Sequence, residues 1–261
     1  MAKSKPQPKQ KANDLAQKPA LVKKKNPWTT GLALRDFFQF SPRQQSYVDA
    51  YDSEKLITCA LGSAGTGKTS LAAYLALCDL MDKGHPCSHV RFIRSVVPVR
   101  EMGYLKGSQE EKEEVYNIYR NIVNDAFGRG DAWDILEFNG FVSFCSTSFE
   151  QGKTYENTSV VLDEIGNMNF KEIDLIVSRL GFNSRIQLLG DLNQSYLNSR
   201  KEDECGVKQF FEIVKHMDIS HIEYFTGEDI VRADLVRDYI CMRDHVLHGE
   251  PLPSNYGSRN A

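Results

Sequence analysis

Gly62-Ser63-Ala64-Gly65-Thr66-Gly67-Lys68-Thr69 fits the pattern G-x-x-x-x-G-K-[ST], and it lies between an apolar run (Leu56, Ile57, Cys59, Ala60, Leu61) and a segment of helical period. No other stretch constrains the fold as tightly. The glycines let backbone N–H groups converge on phosphate oxygens, and the helix that follows turns its positive dipole end toward the same anion. Leu71, Leu75 and Cys78 recur at i, i+4 and i+7, which predicts a helix of about four turns with one face on a sheet behind the loop. Strand, loop and helix therefore follow in the order that a nucleoside triphosphate site with Mg²⁺ requires. In such a site Lys68 neutralises the β- and γ-phosphates, and the Thr69 hydroxyl ligates Mg²⁺ from the first helical turn. The nucleotide contacts are expected over Gly62, Ser63, Ala64, Gly65, Thr66, Gly67, Lys68, Thr69 and Ser70.

The rest of the chain supplies a sheet for this loop. Short apolar runs predict strands at Leu56 to Leu61, Val90 to Ile93, Phe141 to Cys145, Val160 to Leu162, Ile186 to Leu189 and His221 to Phe225. Helical patterns alternate with them at Lys68 to Met81, Glu110 to Phe127, Phe170 to Leu180 and Val207 to Lys215. Continuous apolar strands separated by helices predict an α/β fold with a mostly parallel, doubly covered sheet of the RecA-like P-loop NTPase type. Ahead of the first strand, Ser41-Pro42 opens a helix through Tyr47, Val48 and Tyr51, with Ser41 as cap and Pro42 at the first helical position.

Two more strand ends carry chemistry. Ser159-Val160-Val161-Leu162-Asp163-Glu164 is an apolar strand ending in paired carboxylates, the form of a Walker B element, about 95 residues beyond the loop. There Asp163 holds Mg²⁺ through water, and Glu164 polarises the attacking water as general base. A nucleotide switch or a small-molecule kinase need not have that second carboxylate. Ile186-Gln187-Leu188-Leu189-Gly190-Asp191-Leu192-Asn193-Gln194 ends a third strand in G-D-x-x-Q, on the carboxyl edge where parallel sheets bind ligands. The Gln194 amide can hold both γ-phosphate and lytic water.

Together these motifs resemble the PhoH-like ATPases, a family related to the nucleotide-binding half of superfamily 1 helicases, over roughly Pro42 to Asp244. The family's G-P-A-G-T-G-K-T matches Gly62 to Thr69 with Ser63 in place of proline, and its D-E-A-Q-N corresponds to Asp163-Glu164-Ile165-Gly166-Asn167. Its T-R-x-G-x-x-S resembles Ser178-Arg179-Leu180-Gly181-Phe182-Asn183-Ser184, and its D-V-V-R-H-P-L-V resembles Asp229-Ile230-Val231-Arg232-Ala233-Asp234-Leu235-Val236. A P-x-Q-x-x-Y pattern matches Pro42, Gln44 and Tyr47, which implies adenine recognition by Gln44, with Gln45 as the adjacent alternative. Departures fall at Met102-Gly103-Tyr104-Leu105-Lys106-Gly107, at Gln151-Gly152-Lys153-Thr154 where the family has an arginine in place of Gln151, and at Ile165-Gly166. All lie outside the hydrolytic set of Lys68, Thr69, Asp163, Glu164 and Gln194.

The resemblance implies a Mg²⁺-dependent ATPase acting on or with RNA or single-stranded DNA, helicase-like in descent. The family's name comes from phosphate starvation, although no residue here measures phosphate. A phosphoryl transition state also calls for an arginine finger, for which Arg232 and Arg179 are the candidates. Superfamily 1 enzymes draw such arginines from a second motor domain. This chain has none, so the finger is expected from a neighbouring copy in a ring, a hexamer as the family implies. Arg94, Arg100 and Lys106 are expected along a strand path, with Tyr104 as its stacking residue. The alternative is an ATP-binding regulatory protein whose nucleotide state controls oligomer or partner assembly without unwinding.

Composition narrows the setting. At 261 residues two motor domains do not fit, and no apolar stretch approaches the ~20 residues of a membrane span. Six cysteines without a CxxC pair, and no secretory leader, are expected of reduced thiols in the cytoplasm. Residues 1–27 hold eight lysines against the single acid Asp14, a net +7 against −3 for the chain, which leaves the remainder at −10. That Lys/Pro-rich tail is expected to be disordered, and serves either solubility or electrostatic attraction to nucleic acid. An ATPase domain is expected over 28–250 and a flexible tail over 251–261.

Overall fold

The computed structural model describes residues 27–36, 39–53, 55–95, 109–147, 154–191, 201–254 and 256–257. The lysine-rich tail to residue 26, the 96–108 loop with Arg100, Tyr104 and Lys106, residues 151–153 and Gln194 lie outside the described residues.

All six expected strands form, each within a residue or two of its predicted place: β1 (Ile57–Gly62), β2 (His89–Arg94), β3 (Val142–Ser146), β4 (Thr158–Asp163), β5 (Arg185–Gly190) and β6 (Ser220–Phe225). They make one parallel sheet in the order β3-β2-β4-β5-β1-β6. The strand carrying Gly190-Asp191 therefore lies between the strand of the glycine loop and the strand of the paired carboxylates.

Continuous apolar strands bury both faces, and the alternation of side chains divides them between two cores. Ala60, Val90, Phe92, Val161 and Leu189 enter one core with α1 (Pro42–Asp52), α2 (Lys68–Met81), α3 (Gln109–Phe127) and α4 (Ala132–Phe138). Ile57, Cys59, Leu61, Val160, Leu162 and Leu188 enter the other with α5 (Phe170–Val177) and α6 (Lys201–Val214). Each fully buried aliphatic side chain contributes about 1.5–3 kcal/mol. The last helix, α7 (Asp234–His248), packs at the carboxyl edge.

Several boundaries differ from the sequence pattern, for physical reasons. α6 starts at Lys201, ahead of the expected Val207, because its first two turns are polar and show no period. α4 has only seven residues, too few to display one. α7 shows no apolar period in the sequence because its buried positions include Arg237 and Asp244 beside Ile240 and Cys241, whereas its apolar Leu235, Tyr239 and Val246 face outward. α1 starts as expected: Ser41 Oγ accepts from Gln44 N–H, and the Gln44 side chain accepts from Ser41 N–H at 2.9 Å, a capping box with Pro42 at the first position. The five described cysteines are free thiols, and no helix among the described residues is long and apolar enough to cross a membrane.

Candidate nucleotide-binding site

β1 ends in Gly62 at φ 120, where a Cβ would fall 1.9 Å from the Phe225 carbonyl oxygen of β6. Only glycine lets the chain leave the sheet there. Gly67 caps α2 in the left-handed region at φ 78, so the loop closes into the helix at once and points its N–H groups into the cleft. The loop is braced from outside. The Val231 N–H donates to Gly65 O at 3.0 Å, Gln44 Nε2 donates to Thr66 O at 3.0 Å, and Ser63 Oγ donates to Asp244 Oδ2 at 3.0 Å.

Above this loop lies a cleft of about 550 Å³, lined by Ala64 to Ser70 together with Asp163, Glu164, Asp191 and Arg232. That volume is within the usual range of small-molecule sites, roughly 300–1,000 Å³. Lys68 Nζ donates to Gly62 O at 2.7 Å and Ser63 O at 2.6 Å. Burial pulls the Lys68 ammonium below its ordinary pKa, while Asp191, Asp163 and Glu164 oppose the shift.

Thr69 Oγ1 stands 3.2 Å from Asp163 Oδ2, although the two are 94 residues apart in sequence. A hydroxyl and a carboxylate converging beside a phosphate cradle are the hard oxygen donors that suit Mg²⁺. Asp163 is buried and held from two further sides. Its Oδ1 accepts from the Glu164 N–H at 2.9 Å, and its Oδ2 accepts from Tyr119 Oη at 2.8 Å. Glu164 itself sits at φ 56, ψ 42, left-handed backbone that costs a side-chain-bearing residue about 1–3 kcal/mol. Burial and the neighbouring Asp163 charge raise the Glu164 pKa, against the pull of Arg94 and Lys68.

Among the described residues the sequence motifs are thus brought together at one sheet edge, with Arg179 as the exception. Arg232 stands against the chain's own loop: a Cβ at Gly65 would lie 3.0 Å from Arg232 Cγ. Arg179 does not approach that loop. Its carbonyl accepts from Tyr155 N–H at 2.8 Å, where the chain enters β4 at the opposite, amino edge of the sheet. Gln44 is 6% exposed with both ends of its amide on backbone groups, tying α1 to the loop; Gln45 lies outside on Asp49.

Sequence reasoning missed Tyr119. It is fully buried between Phe92 and Phe144, with ring centroids at 5.1 and 5.3 Å, which fixes its hydroxyl on Asp163. Burial and the Asp163 charge raise its pKa well above the ordinary phenol value, so it serves as a donor. Only its place on the apolar face of α3, with Val123 and Ala126, marked it at all. Asp244 and Asp229 were missed likewise; Asp229 accepts from Ser41 Oγ at 2.6 Å and ties the segment before Val231 to α1.

A parallel α/β sheet with a glycine loop on one strand and paired carboxylates at the same edge, with Thr69 beside Asp163, defines an ATPase-type P-loop nucleotide-binding protein. The PhoH-like protein family matches residues 39–243, and the chain belongs to it. It is 29% identical over 200 residues to the PhoH-like protein of Mycobacterium leprae, covering 76% of this chain and 55% of that one. It is 30% identical over 200 residues to the PhoH-like protein of Bacillus subtilis (strain 168), covering 76% and 60%. It is 29% identical over 196 residues to protein PhoH of Escherichia coli (strain K12), covering 74% and 54%. The chain therefore spans little more than half the length of these relatives. Among solved structures, the large terminase of bacteriophage HK97 aligns with a TM-score of 0.46 at 19% identity, over 86% of this chain and 46% of that one.

Proposed function

We propose that this chain is a cytosolic, Mg²⁺-dependent ATP hydrolase that works on or with RNA or single-stranded DNA. The observation that carries the reading is the meeting of Thr69 and Asp163 at 3.2 Å, beside Glu164 and within one cleft with Lys68. In this reading the loop N–H groups and Lys68 cradle the β- and γ-phosphates, and Thr69 and Asp163 hold the metal. Mg²⁺ bound there offsets the charge that develops on the transferring phosphoryl group. Glu164, its pKa raised, accepts the proton of the attacking water. Gln194 orients that water, as its motif implies.

Arg232, beside Gly65, is the arginine poised for the chain's own phosphates. Arg179, on the far edge, reaches a phosphate only of another copy, so a ring such as a hexamer is the assembly that would use it. The first test is Glu164→Gln, which is expected to keep Mg-ATP binding and lose turnover. Undiminished turnover would falsify the assignment of the base. Sedimentation of the active protein tests the ring: a strict monomer with full ATPase activity excludes it.

A second reading, a regulatory protein whose nucleotide state controls partner assembly, draws on the outward Leu235, Tyr239 and Val246 of α7, which follows the segment touching the loop. Acceleration of ATP turnover by single-stranded RNA separates the two: it is expected of the first and absent from the second.

A further inference from the structure

The general base is not free. β2 and β4 pair with Arg94 opposite Asp163, so the Arg94 guanidinium reaches over the end of β4 and its Nη2 donates to Glu164 Oε1 at 3.3 Å. A base must turn a carboxylate lone pair toward the attacking water, whereas this contact commits one oxygen of Glu164 to a cation at the cleft margin. The Glu164 backbone cannot supply the difference. It is pinned by its own N–H on Asp163 Oδ1 and by its carbonyl, which accepts from the Asn167 N–H at 2.9 Å. Only the side chain is left to move, from Arg94 toward the cleft.

Arg94 has what an exchangeable partner needs. Its backbone is fixed in β2 opposite Asp163 of β4, so one end of the residue has an anchor that does not move. Among the described residues the other end of the side chain is partly open. The side chains of Arg94 and Glu164 are 23% and 40% exposed, and an arginine has donors to spare for a second anion. A phosphodiester can take that fork through two oxygens, whereas Glu164 reaches it through one, at 3.3 Å.

We infer that Arg94 is a latch on the general base: it holds Glu164 off the attacking water until a phosphate of a single-stranded nucleic acid takes the carboxylate's place on the guanidinium. The latch rests on the hydrolase reading above and adds to it the link between strand binding and turnover. Arg94 is a positioning residue, acting on the reaction only through Glu164. The coupling is reciprocal: what releases Glu164 from Arg94 also frees Arg94 for the strand.

The test uses the full chain with polyuridylate as the strand. Arg94→Gln is expected to raise the unstimulated kcat about 5-fold with KM for ATP unchanged, and to end acceleration by polyuridylate. Arg94→Lys, which keeps the charge, is expected to stay at the low rate. An Arg94→Gln rate equal to or below that of the unaltered protein overturns the latch. A second measurement needs no turnover: by fluorescence anisotropy, Glu164→Gln is expected to bind labelled polyuridylate about 5-fold more tightly, and Arg94→Gln more weakly. Unchanged affinity of Glu164→Gln overturns the latch even if Arg94→Gln binds less. Should the unaltered protein bind no strand while it turns over ATP, the nucleic-acid reading falls and the latch, which a strand phosphate must open, falls with it, leaving the hydrolase reading standing. Should it bind ATP without turnover, the hydrolase reading falls and the anisotropy decides. Neither turnover nor strand binding in any variant overturns both.

Discussion

Helix α2 joins two polar clusters built from the same residue types at opposite edges of the sheet. At the carboxyl edge, Tyr119 donates to Asp163 at 2.8 Å with Arg94 close by; at the amino edge, Tyr51 donates to Asp79 at 2.5 Å, with Arg185 Nη1 3.6 Å from the same carboxylate. Both tyrosines are fully buried, and burial raises the pKa of both. The amino-edge cluster closes on itself. Arg185 stacks on the Tyr51 ring at 4.2 Å and donates to Tyr51 O, Ser159 shares the phenol, and His85 lies 3.6 Å from Asp79. At the carboxyl edge the partners instead leave Asp163 facing Thr69, Lys68 and a cleft. A buried Tyr-Asp-Arg cluster is therefore only scaffold. It becomes a candidate site where a helix N-terminus, a phosphate loop and a second carboxylate meet it, and α2 offers its N-terminus to only one of the two.

The contrast can be broken in steps of decreasing size. Glu164→Gln should lower kcat by about 10³-fold at unchanged unfolding free energy, within the usual span for a lost general base, as read by steady-state ATPase and urea titration. Asp79→Ala should do the reverse, costing about 3 kcal/mol of stability by leaving Arg185 and Tyr51 without their carboxylate, with kcat per folded molecule retained. A large loss of kcat there would show that the amino edge reaches the chemistry. Tyr119→Phe should lower turnover about 10-fold and raise the Mg²⁺ concentration needed for half-maximal rate, since Asp163 loses a fixed donor. The same change at the other edge, Tyr51→Phe, should cost only about 1 kcal/mol in the urea midpoint and leave the Mg²⁺ dependence alone. If both tyrosine variants shift the Mg²⁺ dependence equally, the two clusters do not differ in kind.

Legibility in the sequence tracks how far apart the cooperating residues lie. The phosphate loop was readable because its groups occupy eight consecutive positions whose conformation glycine permits, and Gly62 and Gly67 adopt positive φ as that reasoning requires. β1, β4 and β5 were readable because both faces are buried and the runs are continuous. Gln44 completes an S-x-x-Q capping box with Ser41, itself a local pattern legible in the sequence. Tyr119 and Asp163 are 44 residues apart, Arg94 and Glu164 are 70 apart, and Ser63 and Asp244 are 181 apart; no local period or spacing connects such pairs.

By itself, then, the sequence determined the six strands, the parallel sheet and the phosphate loop, since backbone sterics and hydrophobic periodicity act over a few residues. Only the tertiary structure decided that Arg94 grips Glu164, that Tyr119 holds Asp163, and that Arg232 lies beside the phosphate loop while Arg179 lies at the opposite edge of the sheet. Those contacts depend on strand order and on which helix covers which face, and both are settled by packing the whole sheet at once.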